Sequence, residues 1–380
     1  MAALPLRSVP AGGRPSRQLV LDYRDDLRIF PDRWARFGLV VLAFLYIWLP
    51  TQEVSDAGLR TLSTIAIVAI GAIGLNLLTG YTGQVSLGHA FFVGVGSYSA
   101  AYLGAAQEWP FLLYMPAAIL LGVFLGAVIG PFALRLRGHY LVIVTLGLVF
   151  LGMHVFRNWT SVTGGNRGTQ IRGADMSIGP LDFSGLELFG STFTREQSMF
   201  FLVWALLALA ALLAKNLVRS RMGRAMQAVR DRDLSAEIIG VDLARTKVGA
   251  FAISSGFAAC AGVLSGLQIR FASPDDFDLF LSIEYVAIVI IGGAGTIFGA
   301  ILGAFFVIGV EEFISHYSRS EWLGPVVRTG PGDSGFFSVG ELNAVLFGGF
   351  IVVFLLFEPR GLAALWLRAK AWFLTWPFSY

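Results

Sequence analysis

Apolar stretches long enough to cross a membrane recur along most of the chain, and they constrain the fold more than any other feature. A helix needs about 20 residues to cross the hydrocarbon core of a bilayer. Of the 380 residues, 56% are hydrophobic and 14% are charged, and the mean hydropathy is +0.70. Soluble domains carry about 25% charged residues, so this composition excludes a disordered chain and disfavours a soluble globule. The sequence therefore predicts an all-α, polytopic membrane protein.

About ten spans are predicted, and they place both ends of the chain on one side of the membrane. They cover residues 34–50, 61–79, 86–104, 112–134, 139–157, 198–218, 248–269, 281–297, 298–317 and 341–358. The apolar run from 281 to 317 is too long for one helix. We divide it in two because Gly292, Gly293 and Gly295 interrupt it, and clustered glycines unwind a membrane helix.

Arginine and lysine indicate which side of the membrane is the cytoplasm. Basic residues concentrate in an N-terminal arm at 1–33, a turn at 135–138, a loop at 219–247 and a tail at 359–380. All four lie on one face of the predicted topology, so we expect this face, with both termini, to be cytoplasmic. The opposite face also carries arginines, but in a long loop, which constrains orientation less. The arm lacks the apolar core of a signal peptide, and the transmembrane domain covers 34–358.

Two glycine-rich stretches resemble each other and indicate an internal repeat. Residues 79–98 read TGYTGQVSLGHAFFVGVGSY, and residues 292–306 read GGAGTIFGAILGAFF. Each places a glycine-rich break before a helix of small and aromatic residues. The blocks 61–157 and 248–358 run in opposite directions in the predicted topology. Inverted repeats with broken helices are typical of transporters, and the breaks indicate the translocation path. Chance similarity between two glycine-rich helices is the alternative.

Glycine also recurs at every fourth position in two regions, at Gly122, Gly126 and Gly130 and at Gly295, Gly299 and Gly303. This spacing lets helix backbones approach closely in lipid, where no hydrophobic force draws helices together. We expect these glycines to pack helices within the chain or against a partner. A helix face that lines a pore is the alternative.

The motifs that catalysis or nucleotide binding would require are missing from the sequence. It has no phosphate-binding Gly-x-x-x-x-Gly-Lys-[Ser/Thr] loop and no His-Glu-x-x-His zinc motif. Cys260 lies alone in an apolar helix, as a small packed hydrophobe does. We therefore expect no catalytic residues, no cofactor and no metal site, and an intramembrane enzyme is disfavoured. The net charge of +3 gives no indication of nucleic-acid binding, because the basic residues lie at helix ends.

Polar residues and glycines near the two breaks are the candidates for a translocation path. They are Asn76, Gln84, Ser86, His89, Gly293 and Gly295. Polar groups at membrane depth mark substrate pathways, but they also satisfy backbone groups that a broken helix leaves free, and both interpretations stay open. An ion-coupled carrier would need several carboxylates inside the membrane. The acidic candidates Glu284, Glu311 and Glu312 lie near the outer ends of their predicted spans.

The cytoplasmic segment 220–241 predicts a short helical unit. Its apolar residues are spaced about one turn apart, at Met226, Val229, Ala236 and Ile239. Asp233 is placed to cap a short helix that Gly240 ends. A helix this short is marginal by itself, so its apolar face needs a partner. A basic loop that lies on lipid headgroups is the alternative.

Several stretches, taken in order, resemble one family of transport proteins. They are Gly74–Phe92, which reads GLNLLTGYTGQVSLGHAFF, Gly223–Gly240, Lys247–Ser254, and the region from Ser273-Pro274 through Ile291–Thr296 to Gly303-Ala304. They are similar to the permease subunits of branched-chain amino acid ABC importers, the LivM type. The resemblance runs from about residue 60 to 358, so it covers most of the predicted transmembrane domain.

The resemblance implies a permease domain in the lipid of the bacterial inner membrane that translocates branched-chain amino acids, or a related small polar or amphipathic solute, by alternating access. It implies a second, LivH-like permease, two ATPases of the LivG and LivF kind that bind the ATP, and a periplasmic or lipid-anchored binding protein. It also implies that the loop at 219–247 couples to the ATPases. The matching coupling residues are Gly223, Arg224, Ala228, Arg230, Asp231, Asp233, Ala236, Glu237 and Gly240.

Two stretches on the predicted outer face depart from the family pattern. Thr163–Thr169 carries an arginine and lacks a leucine that the family often has, and residues 318–340 match nothing familiar. A binding protein would dock on this face, and relatives serve urea, amides and aromatic acids, so the substrate stays open. An ion-coupled secondary transporter acting alone is the alternative function.

Overall fold

The computed structural model describes residues 33–51, 55–134, 139–179, 181–185, 187–188, 191–317, 327–328, 337–358 and 360–375, in two units, 1–53 and 54–380. The described part of the first unit is helix α1 (Arg33–Thr51). In α1 the rings of Phe44 and Trp48 stack with their centroids 6.1 Å apart. Most of the predicted arm, and the predicted turn at 135–138, lie outside the described residues, so their cytoplasmic position stays a prediction.

The second unit consists mainly of helices joined by short connections. In chain order they are α2 (Asp56–Thr82), α3 (His89–Ser99) with a π-helical extension (Ala100–Ala106), α4 (Phe111–Leu134), α5 (His139–Asn158), α6 (Thr160–Thr163), α7 (Arg195–Arg219), α8 (Arg221–Asp231), α9 (Asp233–Ile238), α10 (Leu243–Ile269), α11 (Leu279–Gly292), α12 (Ile297–Tyr317), α13 (Val339–Phe357) and α14 (Gly361–Thr375). Each predicted span falls on one of these helices or on α1. Among the described residues, six helices are long and apolar enough to cross a membrane, namely α2, α4, α5, α7, α10 and α12. The predicted all-α, polytopic membrane fold is confirmed.

Helix α2 lies at the centre of the second unit and packs against α7, α10, α11 and α12. It begins at the cap residue Ser55, whose side chain accepts a hydrogen bond from the backbone N–H of Gly58. It ends at Gly83, whose left-handed φ of 74° stops the helix while its N–H bonds back to Leu78 and Thr79. Side chains on every face of α2 are buried, as expected of a helix that is apolar all round.

The glycines spaced four apart pack helices within the chain, as the spacing predicts. A Cβ at Gly122 would lie 2.6 Å from Cβ of Ala259, and one at Gly126 would lie 2.9 Å from Cα of Ala252. Both neighbours belong to α10, so α4 and α10 cross with their backbones in close contact. Gly303 likewise faces the carbonyl of Ile288, which brings α12 against α11.

Short strand pairs connect the loops at the end of the bundle opposite α8 and α9. The antiparallel pairs are β1 (Thr169–Gln170) with β6 (Phe271–Ala272), β2 (Ser177–Ile178) with β3 (Leu181–Asp182), and β4 (Glu187–Leu188) with β5 (Ser191–Thr192), while β7 (Val327–Arg328) and β8 (Phe337–Ser338) pair in parallel. Asp175 fastens this region to α4, because its carboxylate accepts from the N–H of Phe111 and its carbonyl accepts from the hydroxyl of Tyr114. Partial burial would raise the pKa of Asp175, but hydrogen bonds from the side chain and N–H of Ser177 outweigh it, so the pKa is lowered.

Two features differ from the sequence-based prediction. The predicted span at 86–104 continues as a π-helix from Ala100, which brings Gly104 against the ring of Tyr114. The predicted tail at 359–380 contains helix α14, which packs on α11 and α12. Most of the predicted outer loop at 318–340 lies outside the described residues.

Candidate functional site

The two predicted breaks lie side by side at one end of the bundle. The first break, residues 83–88, separates α2 from α3, and the second break, residues 293–296, separates α11 from α12. Both contain glycines with positive φ, at 74° for Gly83, 115° for Gly293 and 84° for Gly295. Other residues rarely adopt these angles, so glycine allows the chain to reverse direction here.

Asn76 joins α2 to the second break. Its side-chain nitrogen donates to the carbonyl of Thr296 at 2.7 Å, and its side-chain oxygen accepts from the N–H of Gly295 at 2.8 Å. The side chain is 1% exposed. Asn76 therefore satisfies backbone groups that a break leaves free, and these groups belong to the second break.

The first break is held mainly by hydrogen bonds to neighbouring backbone and hydroxyl groups. The hydroxyl of Thr79 donates to the carbonyl of Gln84, the N–H of Gly88 bonds to the hydroxyl of Ser86, and the N–H of Leu87 bonds to the hydroxyl of Thr145 in α5. Gln84 and Ser86 are both buried. Within the described part of the chain, the side-chain nitrogen of Gln84 has no hydrogen-bond partner.

His89 begins α3 and is enclosed by the chain. It is 2% exposed, and its ring meets the edge of the Tyr285 ring with centroids 4.7 Å apart. The next residue, Ala90, donates its N–H to the hydroxyl of Ser282 at 3.0 Å. These contacts pack the start of α3 against α11.

Gly293 and Gly295 have no room for a side chain. A Cβ at Gly293 would lie 2.6 Å from the carbonyl oxygen of Arg360, where the chain enters α14. A Cβ at Gly295 would lie 3.2 Å from the carbonyl oxygen of Gly80 in α2. The second break is therefore wedged between α2 and α14.

The structure thus brings Asn76, Gly293 and Gly295 together and encloses His89 within the chain. A cavity of about 350 Å³ lies elsewhere, between α13 and α14, and is lined by Val353, Phe354, Phe357, Glu358 and Leu365. The assignment of the break residues to a translocation path stays a prediction.

Helices α8 and α9 form the predicted cytoplasmic unit, but their apolar face is covered by the chain itself. Met226, Val229 and Ala236 are buried, with α8 packed on α2, α7 and α10. The expectation that this face needs a separate partner is wrong for these three residues. Ile239, the fourth residue of the predicted face, is 75% exposed.

A different apolar surface faces solvent. Leu234, Ile238 and Ile239 are 69%, 86% and 75% exposed, and together they are called the α9 tip below. Leu234 and Ile238 were not among the residues that the spacing singled out. The sequence could have revealed them, because Leu234 and Ile238 are large apolar residues that lie away from the buried Ala236 on a helix of six residues.

The ends of α9 differ in part from the prediction. Asp233 does not cap the helix, because Arg232 occupies the cap position and Asp233 is the first helical residue, paired with Lys247 at 2.8 Å. Gly240 ends the helix as predicted. Its N–H bonds to the carbonyl of Glu237, and the N–H of Val241 bonds to Ala236, which is a Schellman motif.

The remaining predicted coupling residues fall into two groups. Gly223 is buried. Its N–H donates a hydrogen bond to the side chain of Ser220, which caps α8. The exposed members are Arg224, Arg230, Asp231, Asp233, Glu237 and Gly240, and Ala228 is half-buried. Arg224 donates to the carbonyl of Arg219. Of the exposed members, Asp231, Asp233 and Glu237 are charged residues close to the α9 tip along the chain.

Similarity to known proteins covers the region of the chain that contains the two breaks, α8 and α9. Residues 58–355 match the family described as "Branched-chain amino acid transport system / permease component". The high-affinity branched-chain amino acid transport system permease protein LivM of Escherichia coli K12 is 29% identical over 86% of this chain and 73% of its own length. LivM of Salmonella typhimurium is 28% identical over the same shares. The autoinducer 2 import system permease protein LsrC of Salmonella typhi is 28% identical over 73% of this chain and 77% of its own. No solved structure matches the chain.

Proposed function

This chain belongs to the family of permease components of branched-chain amino acid transport systems, and we propose that it is the permease subunit of an ATP-driven importer in the bacterial inner membrane. Its substrate is a branched-chain amino acid or a related small polar or amphipathic solute. The names of the two LivM relatives support the amino acid, because the match to LivM covers 86% of this chain, whereas the match to the autoinducer 2 permease LsrC covers 73%.

The observation that carries the proposal is the exposed α9 tip. Leu234, Ile238 and Ile239 present large apolar side chains on a short helix, and exposed apolar patches with a polar rim mark protein contacts. The surrounding Asp231, Arg232 and Glu237 are exposed and charged, which opposes insertion of the tip into the hydrocarbon of a bilayer. A protein partner therefore suits the tip better than lipid does.

Partner ATPases of the LivG and LivF kind are the proposed occupants of the tip. The sequence has no phosphate-binding loop of its own, so energy for uphill transport has to come from elsewhere. The arginine-rich loop that contains α8 and α9 is expected to be cytoplasmic, where ATP is found. A LivH-like second permease and an extracytoplasmic binding protein complete the proposed complex.

The proposed transport step is alternating access. Closure of the ATPases moves α8 and α9, and the movement reaches the bundle through Met226 and Val229, which are buried against it. The two breaks lie where α2 and α11 end, so the helices can change direction there without losing a continuous hydrogen-bonded ladder. The opposite end, with its short strand pairs, is the proposed docking face for the binding protein.

The test is purification of the full chain from native membranes in mild detergent, with stoichiometric partners identified by mass spectrometry. The variant Leu234→Lys/Ile238→Lys places two charges on the tip. We expect ATPase subunits to copurify with the native chain and to be reduced at least about tenfold with the variant, because a desolvated apolar contact of this size contributes more than 1.4 kcal/mol.

The matched control is Gln227→Lys, which adds a charge at an exposed position of α8 outside the tip and leaves copurification unchanged. A native chain that purifies alone and transports in liposomes on an ion gradient would refute the proposal and support the ion-coupled secondary transporter. Equal copurification of the tip variant and the control would show that the ATPases bind elsewhere.

A further inference from the structure

Arg230 connects helix α8 with both breaks. A Cβ at Gly83, in the first break, would lie 3.5 Å from Cγ and 3.6 Å from Cα of Arg230. A Cβ at Gly295, in the second break, would lie 2.5 Å from Nη1 of Arg230. The aliphatic part of the side chain therefore rests on the first break, and the guanidinium reaches the second. The contact at Gly295 depends on glycine, because a Cβ there would collide with the guanidinium.

The charge of Arg230 lies where two helices end. Helix α2 ends at Thr82 and α11 ends at Gly292, and the last carbonyls of a helix carry partial negative charge. The carbonyl of Gly80 and the backbone of Gly295 meet at the same point as the guanidinium. A cation at the C-terminal ends of two converging helices stabilises their juxtaposition.

Tyr81 adds a second contact at this junction. Its side chain lies near the backbone of Ile297, the first residue of α12, and within the electrostatic reach of Arg230. Together with Asn76, which bonds Gly295 and Thr296, this makes a junction of α2, α11 and α12 that α8 covers through one side chain.

Arg230 also lies next to the connection between α8 and α9. It occupies the last turn of α8, and the extended residue Arg232 then redirects the chain into α9. Displacement of α9 therefore shifts Arg230 before it shifts the better anchored Met226. We infer that Arg230 is a positioning residue, which holds the ends of α2 and α11 together while α8 is seated and releases them when the cytoplasmic helices move. The transport part of this inference rests on the proposed function.

The first experiment needs no partner protein. Amide hydrogen exchange is measured by mass spectrometry on the purified full chain in detergent, for the native protein, Arg230→Gln and the control Arg221→Gln. Arg221 is an exposed arginine at the start of the same helix. We expect Arg230→Gln to speed exchange about two- to fivefold in residues 80–88 and 293–297, in keeping with the value of a charge at helix ends, and Arg221→Gln to leave it unchanged.

Two further readings separate positioning from general instability. Exchange at the crossing of α4 and α10 stays native in Arg230→Gln, because that contact lies away from the breaks. Arg230→Lys restores part of the protection, since it keeps the charge and shortens the reach. Equal exchange at both breaks in the native protein and Arg230→Gln would overturn the inference, whatever the outcome for the ATPases.

The second experiment uses the reconstituted complex with its ATPases, assayed by uptake of radiolabelled leucine and by ATP hydrolysis. Uptake per copurified ATPase subunit is expected to fall about tenfold in Arg230→Gln, because the movement no longer reaches the breaks. Native uptake by this variant would overturn the transport role. If the native chain retains no ATPase, the proposed function fails, and the exchange experiment still decides whether Arg230 holds the breaks.

Discussion

At the level of single residues, the junction of the two breaks depends on an amide side chain in an apolar helix. An amide offers a donor and an acceptor in one plane without charge, and Asn76 uses both, toward Thr296 and Gly295. In the interior of a membrane protein no water is present to accept a hydrogen bond from an unpaired backbone N–H. The N–H of Gly295 therefore needs the oxygen of Asn76.

Replacing Asn76 with leucine, which is similar in size, removes the acceptor for the N–H of Gly295. We expect the free energy of unfolding to fall by about 1–3 kcal/mol, the cost of leaving one buried donor unpaired. The measurement is thermal unfolding of the purified protein in detergent, followed by tryptophan fluorescence. Asn158→Leu, at the exposed end of α5, is the control and melts like the native chain. A native melting temperature for Asn76→Leu would show that the N–H of Gly295 finds another partner.

At the level of helices, hydrophobic runs predict where each span lies, because a span's length is set by the membrane and its composition by lipid. The glycine breaks were also predictable, because clustered glycines such as Gly292, Gly293 and Gly295 unwind an apolar helix. The partners across space were not: Asn76 meets residues 219 and 220 positions away along the chain. Nor did spacing reveal that Met226 and Val229 face the chain's own helices, because periodicity identifies an apolar face and gives no information on what covers it.

The crossing of α4 and α10 depends on glycine at the contact. A Cβ at Gly126 would meet the side-chain oxygen of Ser255 at 2.5 Å and Cα of Ala252 at 2.9 Å, and the backbone of Ala252 cannot move away alone. We expect Gly126→Ala to destabilise the protein by about 1–3 kcal/mol through overpacking. Gly147→Ala, in α5, is the matched control, because a Cβ there meets nothing within 4 Å. Thermal unfolding in detergent compares the two, and equal melting temperatures for the two variants would contradict the packing role of Gly126.

At the level of the whole molecule, the bundle has two dissimilar ends. One end carries the strand pairs and the contact between Arg195 of α7 and the carbonyl of Leu267 at the end of α10. The other end carries both breaks, α8 and the α9 tip. Helices that connect the two ends, such as α7 and α10, are long enough to cross a bilayer. The tip therefore lies at the same end as the breaks and a membrane's width from the opposite loops.

This arrangement makes the orientation of the chain measurable with single cysteines. The native chain has one cysteine, Cys260, so a Cys260→Ser background carries no thiol. The positive-inside distribution predicts that a thiol at Ile238→Cys, in the tip, reacts with a membrane-impermeant maleimide only after the cells are permeabilised. A thiol at Ser184→Cys, exposed between β3 and β4, is expected to react in intact cells. Labelling of Ile238→Cys in intact cells would show that the chain has the opposite orientation. The tip could then not contact an ATPase that uses cytoplasmic ATP.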